Sequence, residues 1–162
     1  MAVTYTPIAT TTLGSAASSY TFSSIPSTYT DLVIIMNFGN TTTGNQIDIQ
    51  FNGDTGNNYS YTGMYGGTGT PGSGRSTSQP MAYLGYTNNV ANNSVCIVNI
   101  FNYSNSTTYK TALSNKTNPN SYIELASILW RSTSAITSVT LTTDYGSYSS
   151  GTTFTLYGIK AA

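Results

Sequence analysis

Histidine is absent from this 162-residue chain, and only 6% of its residues are charged, five basic and five acidic. An ordinary soluble domain is about 25% charged. Proton transfer in enzymes runs most often through His, then through Glu, Asp or Lys. The whole charged inventory is Asp31, Asp48, Asp54, Glu124, Asp144, Lys110, Lys116, Lys160, Arg75 and Arg131. A hydrolase would need a pair of carboxylates, and Asp48 and Asp54 are the only acids close together in sequence. The expectation is a protein that is not an enzyme, with no catalytic residue and no cofactor.

Other scarcities narrow the function further. Cys96, the single cysteine, lies within Val95-Cys96-Ile97-Val98 and has no second thiol to pair with. With no His to activate it, it reads as a small buried hydrophobe rather than a nucleophile. Metal sites built on His and Cys clusters are excluded on the same ground. The five basic residues are scattered, which argues against nucleic acid, because phosphate binding needs clustered Lys and Arg. No apolar run approaches the roughly 18–20 residues of a membrane span, so no membrane partner is expected. Residues 1–12 lack the basic and apolar regions of a signal peptide.

What fills the chain is Ser, Thr, Asn and Gly, with 12% aromatics, of which fourteen residues are Tyr. That aromatic content, with zero net charge, separates the chain from disordered sequences. The apolar residues recur with period two. Ile47-Asp48-Ile49-Gln50-Phe51-Asn52 alternates without a slip, as do Ser138 to Thr142 and Thr153 to Tyr157, which is the pattern of half-buried strands. Leu32 to Met36 and Val95 to Phe101 are short apolar runs, predicted as strands covered on both faces. Ile123 to Trp130 has apolar content compatible with a short helix, but it lacks caps and ends in β-favouring residues, so it is predicted as a strand.

Turn-forming clusters separate these segments, at Gly39-Asn40, Asn52-Gly53-Asp54, Asn88-Asn89, Asn118-Pro119-Asn120 and Tyr145-Gly146-Ser147. The cadence predicts an all-β fold, an antiparallel β-sandwich of jelly-roll-like kind with about eight strands. One domain is expected over 1–162, with an N-terminal arm at 1–19 and a long Gly-rich loop at 53–80. The stretch Asn52 to Asn58 could offer oxygens to calcium, but it has too few carboxylates. It is read as a hairpin turn.

The candidate functional residues are therefore contact residues. Tyr59, Tyr61 and Tyr65 on the 53–80 loop, Tyr5 on the arm, and Trp130 could pack in a core or subunit interface, or could form a platform for sugar rings. Arg131 is expected to pair with Asp144 or Glu124. Arg75, Arg131 and Asp144 are the charges expected to matter to assembly. The polar arm is read as a strand offered to a neighbour.

Tyr5-Thr6-Pro7-Ile8-Ala9-Thr10, Leu13-Gly14-Ser15, Phe22-Ser23-Ser24-Ile25-Pro26 and Tyr29-Thr30-Asp31-Leu32-Val33 carry a resemblance to a known family. Gln50 to Asp54, Asn58-Tyr59-Ser60, Asn102 to Asn105, Leu129-Trp130-Arg131-Ser132 and Phe154 to Ile159 extend it along nearly the whole chain, least well over 62–80. Together they resemble small virion structural proteins of tailed bacteriophages, including phages of cyanobacteria. The resemblance implies a non-enzymatic component of the virion. The first expectation is a capsid decoration (cement) protein, a homotrimer bound to the major capsid protein. The alternative is a tail or fibre adhesin that binds a host glycan.

Overall fold

Period-two patterning becomes sheet along most of the chain in the computed structural model, which describes residues 4–67, 69–87, 94–118 and 122–160. The strands are β1 (Tyr5–Thr12), β2 (Ser19–Phe22), β3 (Asp31–Phe38), β4 (Asn45–Phe51), β5 (Tyr59–Gly66), β6 (Gly72–Gln79), β7 (Ala82–Thr87), β8 (Ser94–Phe101), β9 (Lys110–Asn118), β10 (Tyr122–Trp130), β11 (Val139–Thr143) and β12 (Thr153–Ile159). No helix occurs among the described residues. An eight-stranded sheet has the order β1-β12-β3-β8-β9-β10-β5-β6, and a four-stranded sheet has the order β2-β11-β4-β7. Every strand pairing is antiparallel. The all-β sandwich predicted from the sequence is what forms, with twelve strands among the described residues rather than about eight.

The core fills the space between the sheets. Leu32, Ile34, Met36 and Phe38 of β3, with Cys96, Val98 and Ile100 of β8, meet Ile47, Ile49 and Phe51 of β4 and Val139 and Leu141 of β11 in one buried cluster. Cys96 is fully buried as expected, and desolvation pushes its thiol up to about 12. Rings bind the cluster together: Tyr148 meets Phe38 and Phe154 edge-on, with centroids 6.0 and 5.1 Å apart.

Four expectations need correction. The 53–80 stretch is not one long loop, because β5 and β6 lie inside it as a hairpin. Its Gly and Ser hide the strand period without preventing backbone pairing. The arm is not left open for a neighbour, because Tyr5 to Thr12 pair with β12 of the same chain. The apolar runs of β3 and β8 are covered on their outer face only in part: Val33 is buried there, whereas Ile35, Val95 and Ile97 are half-buried. A turn forms at Asn52-Gly53, with both residues at positive φ (53° and 66°) and Asp54 N–H donating to Phe51 O at 3.0 Å, but it is not the expected hairpin, because it leads from β4 in the small sheet to β5 in the large one. Its geometry is that of a type I′ turn. Asn88-Asn89, Pro119-Asn120 and the first three residues of the arm lie outside the described residues.

Candidate functional site

The two sheets differ in width, so β5 and β6 extend past the edge strand β7 of the smaller sheet. β7 packs against β10, β9 and β5, and closes one side of the overhang. Between them lies a cleft of about 460 Å³ whose walls include Gln46, Tyr61, Gly63, Tyr65, Gly74, Arg75, Tyr83, Tyr86, Tyr122 and Glu124.

Five of these residues are tyrosines, and their rings are arranged in pairs. Tyr83 lies 5.3 Å from Tyr61 and 5.5 Å from Tyr86 between centroids, and Tyr65 stacks on Tyr122 at 6.0 Å. The base of the cleft is held by an ion pair. Lys116 Nζ donates to Glu124 Oε2 at 2.9 Å, with the two side chains 0% and 3% exposed. β9 and β10 pair so that Lys116 stands directly opposite Glu124. Glu124 also accepts from Tyr86 N–H at 2.8 Å and from the Tyr83 hydroxyl, while Lys116 also donates to Tyr86 O. Burial and the adjacent carboxylate push the Tyr83 hydroxyl well above the ordinary range, so it stays a donor.

A glycine makes this approach possible. Gly85 has φ of 147° beside the bulge between Ile47 and Asp48, and a Cβ there would meet Glu124 Oε2 and Lys116 Cδ at 2.6 Å. Only a residue without a side chain lets the β7 backbone come so near the pair. Next to the cleft, Asp48 is buried and bonded to Gln46 Nε2 at 2.7 Å. Desolvation, with repulsion from Asp144, raises its carboxyl to about 6 despite that bond.

The sequence-predicted residues are divided among several places. Tyr61, Tyr65 and Arg75 line the cleft. Tyr59 and Trp130 are core residues, stacked 6.2 Å apart against Phe51, so neither offers a surface. Tyr5 is exposed on the edge strand β1, beside Tyr157 at 6.2 Å. The expected pairing of Arg131 with Asp144 or Glu124 is not made. Arg131 donates to Ser60 Oγ, and to the carbonyls of Asn57 and Tyr59 at 2.9 and 3.4 Å, which ties the start of β5 to the end of β10. Asp144 instead accepts from the backbone N–H of Gln46 and Tyr145 at 2.7 and 2.9 Å. Asp48 and Asp54 belong to separate networks and form no carboxylate pair: Asp54 accepts from Trp130 Nε1, Asn58 Nδ2 and Gly56 N–H.

Sequence reasoning missed Tyr83, Tyr86, Tyr122, Lys116 and Glu124. A signal was present for the last two. Lys116 and Glu124 are equidistant from residue 120, so a hairpin centred on the predicted Asn118-Pro119-Asn120 turn sets them face to face.

A second surface lies on the opposite side of the same strands. Met64, Leu113, Ile123 and Leu125 are 59, 49, 55 and 42% exposed and share the outward face of β5, β9 and β10. Phe101 of β8 continues it, next to Thr111 of β9. The charged residues of β9 and β10, namely Lys110, Lys116 and Glu124, all occupy inward positions. No group of three metal-ligating residues occurs among the described residues.

Comparison with known proteins assigns no family. No family model matches the chain, and no curated protein matches it. Among solved structures, it is similar to the scytalido-glutamic peptidase at 12% identity and a TM-score of 0.30, over 91% of this chain and 64% of that one. The chain thus spans less than two thirds of the peptidase's length. A protein of unknown function from Shewanella oneidensis MR-1 is similar at 8% identity and a TM-score of 0.22, over 98% of this chain and 77% of that one. A chain of infectious bursal disease virus is similar at 14% identity and a TM-score of 0.17, over 95% of this chain and 42% of that one. Likenesses this low carry no argument about function.

Proposed function

We propose that the chain is a non-enzymatic structural subunit of a bacteriophage virion, a capsid decoration protein that associates with its own copies on the shell. The observation that carries this reading is the outward face of β5, β9 and β10, where Met64, Leu113, Ile123 and Leu125 are exposed and no charged residue of β9 or β10 is present. Contiguous exposed apolar surface marks an interaction site, and depletion of charge marks the centre of an interface. Its best complement is an equally uncharged surface, and a second copy of a chain with 6% charged residues offers one. The state of Glu124 supports a role without catalysis, because three donors already hold its carboxylate.

Two measurements test the proposal together. Sedimentation equilibrium of the purified chain is expected to show a trimer that Leu125→Asp converts to a monomer. A monomeric wild-type chain would overturn self-association through this face. Quantitative mass spectrometry of purified particles is expected to find hundreds of copies per virion. A few dozen or fewer would place the chain in the tail and overturn the decoration role.

A further inference from the structure

We infer that the tyrosine-lined cleft between β7 and the β5–β6 overhang is a binding site for an uncharged saccharide. This goes beyond the assembly reading and rests on different side chains, the tyrosines and polar groups of the cleft, although Met64 at the rim borders both surfaces. At about 460 Å³, the cleft falls within the roughly 300–1,000 Å³ of small-molecule sites.

Its chemistry is that of a surface for rings bearing hydroxyl groups. Tyr61, Tyr65, Tyr83, Tyr86 and Tyr122 present aromatic faces, which suit the C–H faces of a sugar. The hydroxyls of Tyr61, Tyr65, Tyr86 and Tyr122 have no hydrogen-bond partner among the described residues, so each is free to donate to or accept from a ligand. Gln46 uses its amide N–H on Asp48, which leaves its carbonyl oxygen as an acceptor. Three donors fix Glu124, yet a carboxylate has about four acceptor positions, so one remains for a ligand hydroxyl. The array is rigid, because the ion pair, the Gly85 approach and the ring pairs hold it before any ligand arrives. A preorganised site binds with less loss of entropy.

Charge selects against an anion. The Lys116 ammonium is engaged by Glu124 and by Tyr86 O, which leaves Arg75 as the cation of the cleft without a partner among the described residues. Burial raises the Tyr86 hydroxyl, and the nearby carboxylates of Asp144, Asp48 and Glu124 add to that rise. A phosphate or a carboxylated sugar would meet that negative field. A neutral sugar ring meets rings, hydroxyls and amides, and its hydroxyls can use the Glu124 carboxylate and the Arg75 guanidinium as hydrogen-bond partners with no charge of its own to desolvate.

The floor offers a clean way to block the site. Gly63 and Gly74 face each other across β5 and β6, and a Cβ on Gly74 would meet nothing within 4 Å. Gly74→Trp should therefore fill the cleft without disturbing the fold. The experiment applies the purified chain to an array of neutral glucose, galactose and mannose oligomers, with polygalacturonate and sialyllactose as anionic probes. The expected result is retention on one or more neutral oligomers, weakened at least tenfold by Gly74→Trp and by Tyr86→Ala, with urea midpoints unchanged. Amide shifts in a titration with the retained oligomer are expected at Gly63, Gly74, Tyr83 and Tyr86. Retention on no glycan, retention on the anionic probes alone, or binding indifferent to Gly74→Trp would each overturn the inference.

Discussion

Two regions of one sandwich sort their residues in opposite ways. Where β3, β8 and β12 face β4 and β11, the interior consists of aliphatic side chains and rings, with Leu32, Ile34, Met36, Leu156 and Phe154 inside. Where β9 and β10 face β7, the interior holds Lys116 and Glu124, while Leu113, Ile123 and Leu125 stand in solvent. Ordinary half-buried sheets put apolar residues inward and polar ones outward. The first region follows that rule for the sake of the fold. The second breaks it on both faces, and each break marks a surface: a polar cleft inside and an apolar patch outside. Real proteins depart from local consistency at the places they use.

The largest test of this contrast is the buried ion pair. Lys116→Met leaves the Glu124 carboxylate buried without its cation, which should destabilise the fold by about 3–5 kcal/mol in urea denaturation. Adding Glu124→Gln in the same chain removes the charge and keeps an acceptor for Tyr86 N–H. The double variant should recover most of that loss. A single variant within about 1 kcal/mol of wild type would show that the region tolerates bare charge, and the contrast would fail.

Asp48 gives the next effect, and it sharpens the comparison through pH. Its carboxyl is raised from 3.8 to about 6 in the fold, a difference of about 3 kcal/mol between its protonation states. The folded state therefore holds the proton more tightly than the unfolded chain. The stability this contributes is fully present below the unfolded value and is lost as pH rises through the folded one. Urea midpoints should fall between pH 4 and 6.5, and Asp48→Asn should flatten that slope. An unchanged slope in Asp48→Asn would show that another group sets it.

The apolar-in region was legible because its signal is local. Ile47 to Phe51 and Val139 to Thr143 alternate without interruption, and both are strands in the small sheet. Ile123 to Trp130 was legible as a strand from its lack of caps, although its period leaves Ile123 and Leu125 outside. The cleft was largely illegible. Its residues come from β4, β5, β6, β7 and β10, and they meet only because one sheet is wider than the other. Nothing in a single strand encodes that difference in width. The β5–β6 hairpin was hidden for a related reason. Gly63, Gly66, Gly72 and Gly74 remove the alternation that reveals a strand, and Gly63 and Gly74 also leave the cleft floor open. Tyr59 and Tyr61 are two residues apart on one strand face, yet Tyr59 is sealed in the core while Tyr61 reaches the cleft. The boundary between the two regions falls between them.

That boundary has its own anchor, and it gives the smallest of the predicted effects. At the Trp130 end of β10 the interior returns to rings, and the indole N–H is a polar demand there beside the Tyr59 hydroxyl, which bonds the Phe51 backbone, and the Lys110 ammonium, which donates to the carbonyls of Thr108 and Thr133. Asp54 meets the indole N–H at 2.7 Å from the turn after β4, while also accepting from Asn58 Nδ2 at 2.9 Å and Gly56 N–H at 2.8 Å. The bond from Trp130, aided by those from Asn58 and Gly56, lowers the Asp54 carboxyl below 3.8. Its pH dependence therefore has the opposite sign to that of Asp48, with stability present above the unfolded value and lost as pH falls through the folded one. Asp54→Ala leaves the indole N–H of the buried Trp130 without its acceptor, so a loss of about 1–2 kcal/mol is expected from urea denaturation. Because Asp54 lies in a network separate from the cleft, the same variant should bind neutral glycans as the wild type does. A loss of glycan retention in Asp54→Ala would mean that the two ends of β10 are coupled, and the division of the sandwich into a packing region and a binding region would have to be redrawn.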